Sequence, residues 1–136
     1  MAEMRSLRLG WARLGVIAAA TVIAAHGLIH LMGVVLLWKL GQPGQLRYVN
    51  SVPAPGSSAG DVVGCLWLLA AMLFVAAAVL LVAERAAWRA TAVVAVVVSA
   101  LVIGLAPGQA VAGLVADGLI LVLVAVSWLR TSKVPR

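Results

Sequence analysis

Four long apolar runs leave this chain few ways to fold. LGVIAAATVIAAHGLIHLMGVVLLW occupies positions 14–38, VVGCLWLLAAMLFVAAAVLLVA 62–83, ATAVVAVVVSALVIGLA 90–106 and AVAGLVADGLILVLVAVSWL 110–129. A transmembrane helix needs roughly 20 apolar residues to cross about 30 Å of hydrocarbon. The runs are continuous, whereas lipid-facing barrel strands alternate over roughly 10 residues. With 65% hydrophobic and 10% charged residues in a chain of 136, too few polar groups remain to cover a water-soluble core. The expected fold is all-α: an integral membrane four-helix bundle, antiparallel up-down-up-down, in one transmembrane domain over residues 1–136.

The charges set an expected orientation. Arg5, Arg8, Arg13, Arg85, Arg89, Arg130, Lys133 and Arg136 fall at one end of such a bundle, and only Lys39 and Arg47 at the other. This eight-to-two bias places both termini in the cytoplasm. Trp11, Trp88 and Trp128 fall near that interface, and Trp38 and Tyr48 near the opposite one, as in an aromatic belt. Trp67 lies deeper and is expected to pack between helices. The basic ends suit anionic lipid heads and lack the motifs of nucleic-acid binding, so membrane lipid is an expected partner and nucleic acid is not. The first apolar run continues too far for a cleaved leader, which makes it an uncleaved signal-anchor. The single cysteine, Cys65, excludes an internal disulfide and reads as a small packing residue.

A long outer loop, residues 39–61, joins the first two spans and is rich in Pro, Gly and Ser. Its piece QLRYVNSV is expected to be briefly extended. Ser58 has capping-box spacing to Asp61 and is expected to start the second helix. Arg47, Tyr48 and Gln109 are the outer polar residues that could reach a ligand under this loop.

Within the spans, few residues demand a reason. His26 and His30 are four apart and share a helix face with Gly33, whose small size lets a neighbour approach. His30 lies roughly 12 Å below Trp38, and Asp117 roughly 10 Å into the last span from the same side. An ionised carboxylate at that depth is costly unless paired. The expected arrangement is a buried His26/His30/Asp117 cluster, with His30 the first partner of Asp117 and His26 the second. Gly113, one turn before Asp117, is expected to admit the first helix. Thr21, Thr91 and Ser99 can satisfy themselves on their own helix backbones.

These residues leave several chemistries open: an interhelical hydrogen-bond cluster, a pocket for a lipid-like or other small ligand, or metal, haem, quinone or proton chemistry. His26 and His30 at i, i+4 could ligate a transition metal with a carboxylate, though HGLIH lacks the glutamate of the helical zinc-protease motif. The leading expectation is a small accessory or binding protein that holds a lipid-like ligand, a partner membrane protein or a second copy at this face. A redox subunit and an oligomeric small transporter are the alternatives. No cofactor is specified.

HGLIHLMG at 26–33, GCLWLLAA at 64–71 and AAAVLL at 76–81 resemble a group of small, uncharacterised bacterial four-span membrane proteins carrying HGLIHLLG and GLLWLLAA. Members are sometimes labelled transporter permeases and are broadly similar in size to DoxX-like four-helix proteins. Gly113, Ala116, Ile120 and Ser99 match the group's pattern. Asp117 stands where the group tends to have Asn, Gln109 where it has Asp, and Ala100 where it has Gln. The resemblance implies a multi-pass protein of the bacterial inner membrane. It also implies that an amide can serve at position 117, which favours a neutral polar pocket over a required charge.

Overall fold

In the computed structural model, residues 2–41, 53–105 and 111–132 are described; Arg47, Tyr48, Gln109 and the QLRYVNSV segment lie outside them. The described residues are helical: α1 Ala2–Ile29, α2 Leu31–Leu37, α3 Ser58–Val82, α4 Trp88–Gly104 and α5 Val111–Ser132. α1 and α2 form one rod broken at His30, so the architecture is the expected four-helix bundle. Gly10–Leu37, α3 and Ala112–Thr131 are long and apolar enough to cross a membrane. At 17 residues, α4 spans only about 25 Å.

α3 starts at Ser58 as expected, with its cap one residue before the expected one. Ser57 is the N-cap; its hydroxyl accepts from the Gly60 amide at 3.0 Å and donates to the Ala54 carbonyl at 2.6 Å. Ser57→Ala is expected to cost about 1 kcal/mol, read as a lowered unfolding midpoint in detergent. Two other helix ends close without glycine. Lys39 and Glu84 take φ of 53° and 54°, and the following amides reach back, Leu40 to Val35 and Arg85 to Leu80. This is the helix-ending geometry of a left-handed residue after the C-cap.

α3 packs closely on both α1 and α4, and α4 on α5, while of the helices in contact α1 and α5 pack most loosely. The main apolar core joins Ile23, Phe74, Ala77, Ala92, Ala95, Ile120 and Val124. A second cluster at the opposite end holds Val34, Leu37, Trp67, Val102 and Ile103. Without a hydrophobic drive between helices in lipid, close backbone approach through small residues supplies the packing. Gly27 shows this: a Cβ there would lie 2.6 Å from Phe74 Cβ and 3.1 Å from the Ala71 carbonyl oxygen.

Two readings of the sequence are corrected. Trp88 is buried in the main core, where it lies beside Leu81 and the last turns of α5; it does not face outward as a belt residue would, unlike the exposed Trp11 and Trp128. Cys65 is exposed on α3, so it faces outward instead of packing inside. Trp38 is half-buried; its indole fits over Gly64 and donates to the Asp61 carbonyl at 3.1 Å.

Candidate functional site

Among the described residues, the buried polar ones are His26, His30, Ser99 and Asp117, at 7%, 2%, 0% and 3% exposure. They come from α1, its break, α4 and α5, and they form one connected cluster. His26 Nε2 lies 2.9 Å from Asp117 Oδ1. Asp117 Oδ2 lies 2.7 Å from Ser99 Oγ. Ser99 Oγ lies 2.9 Å from His30 Nε2.

The local chain conformation explains how two histidines one turn apart reach different partners. At His30 the helix tightens: its amide donates to the Gly27 carbonyl at 3.1 Å, and the Gly33 amide donates to the His30 carbonyl at 3.0 Å. The His26 carbonyl, which a regular turn would pair with the His30 amide, accepts instead from His30 Nδ1 at 3.0 Å. The imidazole thus replaces a missing rung of the backbone ladder and fixes its own ring. The two rings stand edge to face, centroids 4.9 Å apart. α3 supplies their aromatic floor, Phe74 against His26 at 4.8 Å and Trp67 against His30 at 5.3 Å. Gly33 makes room for the Trp67 ring.

The expected cluster therefore forms, with two corrections. His26, not His30, is the direct partner of Asp117, because the break rotates His30 toward α4. Ser99 was expected to bond its own helix and instead bridges Asp117 and His30. Gly113 also serves a different neighbour: a Cβ there would meet Ile103 of α4 at 2.8 Å, so it admits α4 and not the first helix. The signal for Ser99 was available, as the one residue between Thr91 and Gly104 that is not Ala, Val, Leu or Ile.

The cluster's groups are buried, and the polar atoms of His30, Ser99 and Asp117 are engaged within it. Both nitrogens of His30 are engaged. Among the described residues, no three His, Cys, Asp or Glu side chains are placed to hold a metal ion. The pairing of His26 and His30 as metal ligands thus lacks a donor set here.

Open space lies along the loose seam between α1 and α5. A cleft of about 500 Å³ is lined by Trp11, Gly15, Ala19, Trp88, Leu123 and Arg130, among others. A second space, of about 270 Å³, continues it past Ala19 and Leu123 to Val22 and Ala116. From Trp11 to Val22 the groove runs roughly 16 Å at 1.5 Å per residue. On α1 it ends at Val22 and Ile23, one turn before His26, and on α5 it reaches Ala116, the neighbour of Asp117 in the chain. Its walls are apolar, and no acidic side chain lines either part. Close to its wide end, Arg89 donates to Thr131 Oγ1 at 3.3 Å, while its buried Nε has no partner among the described residues. This groove was not anticipated, since helix periodicity does not reveal which neighbouring helices pack most loosely. No protein-family model, no curated protein and no solved structure matches this chain.

Proposed function

We propose that this is a small accessory protein of the membrane that binds a phospholipid with an anionic head, its acyl chain lying in the α1–α5 groove. The observation that carries the reading is an apolar groove ending at Arg130. The larger part alone falls in the range of roughly 300–1,000 Å³ typical of ligand sites. A guanidinium is matched to phosphate by its planar fork of donors, and Arg89 brings a second one with an unmet donor. Arg13, Arg85, Arg89 and Arg130 lie at the same end of the bundle, which supports the cytoplasmic placement of both termini and gives that leaflet's anionic lipids an attractive surface. The HGLIHLMG resemblance supports a bacterial inner membrane as the setting.

The test is native mass spectrometry of protein in mild detergent, titrated with phosphatidylglycerol or with phosphatidylcholine of the same chains. A one-to-one adduct is expected to survive preferentially with phosphatidylglycerol. Arg130→Ala is expected to weaken it about five-fold, on the order of 1 kcal/mol per basic residue at a membrane surface. Ala19→Phe, filling the point shared by both parts of the groove, is expected to abolish it. Equal retention of both lipids with no effect of Arg130→Ala would sink the reading. A dimer that excludes lipid would assign the seam to a second copy of the chain.

A further inference from the structure

A hydrogen count in the buried cluster leads past lipid binding. The His26 backbone carbonyl can only accept, so the contact with His30 Nδ1 at 3.0 Å requires a proton on Nδ1. A neutral His30 then has a bare Nε2. Ser99 owns one hydroxyl proton and faces two groups, Asp117 Oδ2 at 2.7 Å and His30 Nε2 at 2.9 Å. If Asp117 were a carboxylate and His30 neutral, that proton could serve only one of them. The other would confront the hydroxyl oxygen lone pair against lone pair, in a site with no room for water to intervene. Both contacts are satisfied only when a second proton sits on this chain of three groups.

We infer that Asp117, Ser99 and His30 form a proton-binding site that holds one proton in addition to the serine's own. It has two arrangements of equal charge. In one, Asp117 Oδ2–H donates to Ser99 Oγ, and Ser99 donates to His30 Nε2. In the other, His30 is an imidazolium whose Nε2–H donates to Ser99, and Ser99 donates to the Asp117 carboxylate. One step converts them: Asp117 gives its proton to Ser99 as Ser99 gives its own to His30. The serine is neutral before and after, Asp117 becomes a carboxylate and His30 a cation. In both, His26 Nε2–H donates to Asp117 Oδ1, and the heavy atoms need not move.

Nothing else titratable among the described residues faces the site. α1 contributes His26 and His30, α4 Ser99 and α5 Asp117, while α2 and α3 contribute only apolar and aromatic groups, Trp67 and Phe74 foremost. Asp61 and Lys39 are exposed. Loss of the shared proton breaks one of the two Ser99 contacts and frees α4 from either His30 or Asp117. The site therefore couples one proton to the closure of the bundle. It uses none of the groove residues and stands apart from the lipid reading.

The chain lends itself to a direct test, because it contains two aspartates and two histidines. Protein carrying ¹³C in the aspartate carboxyls and ¹⁵N in the histidine rings is studied in detergent at neutral pH by infrared and NMR spectroscopy. Exposed Asp61→Asn assigns the remaining carboxyl to Asp117 without touching the cluster. A carboxylic-acid signal from Asp117 with a neutral His30 supports the site in its first arrangement. A carboxylate with a doubly protonated His30 supports it in the second. A carboxylate at Asp117 together with a singly protonated His30 overturns the inference.

Discussion

Asp117→Ala is expected to lower the stability of the bundle by about 2–4 kcal/mol. The change strips the partner from His26 Nε2 and from one side of Ser99, both buried. Each unsatisfied buried group costs about 1–3 kcal/mol. Hydrogen bonds between membrane helices are worth less, about 0.6 kcal/mol on average with a maximum near 1.7, because polar groups also find partners in the unfolded membrane state. Losing contacts on two helices at once therefore places the effect in the middle of the combined range. The contrast with Asp117→Asn is the informative part. The amide nitrogen can donate to Ser99, the amide oxygen can accept from His26, and Ser99 can still donate to His30. Asp117→Asn is expected to stay within about 1 kcal/mol of the parent. Unfolding of the three proteins in mild detergent by denaturant titration measures both. If Asn proves as damaging as Ala, the position needs its charge, and the neutral reading of the cluster fails.

The second large effect is expected at Gly27. Gly27→Val sets a branched side chain where even one Cβ lies 2.6 Å from Phe74 Cβ and 3.1 Å from the Ala71 carbonyl. Neither neighbour can rotate aside, since one is bonded directly to the α3 backbone and the other is part of it. Overpacking a tight interface costs roughly 1–3 kcal/mol and sometimes more. Here α1 must withdraw from α3, and His26 moves with it, so about 3 kcal/mol or more is expected. Gly118 is the control: nothing lies within 4 Å of a Cβ built there. Gly118→Ala should be neutral or stabilising by up to about 1 kcal/mol through helix propensity. The same denaturant titration ranks them, and a Gly27→Val protein as stable as the parent would show that α1 does not rest on α3 at this point.

The meeting of His26, His30 and Asp117 was legible in the sequence because it needed only two regularities. Residues four apart share a helix face, and depth in a membrane can be counted from interfacial residues. Which histidine meets the acid was not legible. A wheel assumes an unbroken helix, whereas here the broken rung at His30 and the side chain that repairs it are one event. Ser99 was misread because a helical serine can satisfy itself, and only the neighbouring helices decide whether it does. Gly113 was rightly singled out as a place of close approach, but periodicity does not say which helix approaches. Trp88 shows the same limit for aromatic belts: its distance along the chain from charged residues matched an interface, while its ring lies in the main core.

The polar cluster also has a bearing on how the protein is put together in the membrane. The helices that Asp117 joins lie at opposite ends of the described chain, so its main partner is made long before it is. α1, α3 and α4 can associate through glycine, alanine and aromatic surfaces as they enter the bilayer. α5 follows them, carrying an acid that hydrocarbon tolerates poorly until His26 and Ser99 receive it. Correct docking of α5 is thus the step that relieves this penalty. A partly assembled chain would display Asp117 within the bilayer, a mark by which membrane quality control could tell it from a finished one.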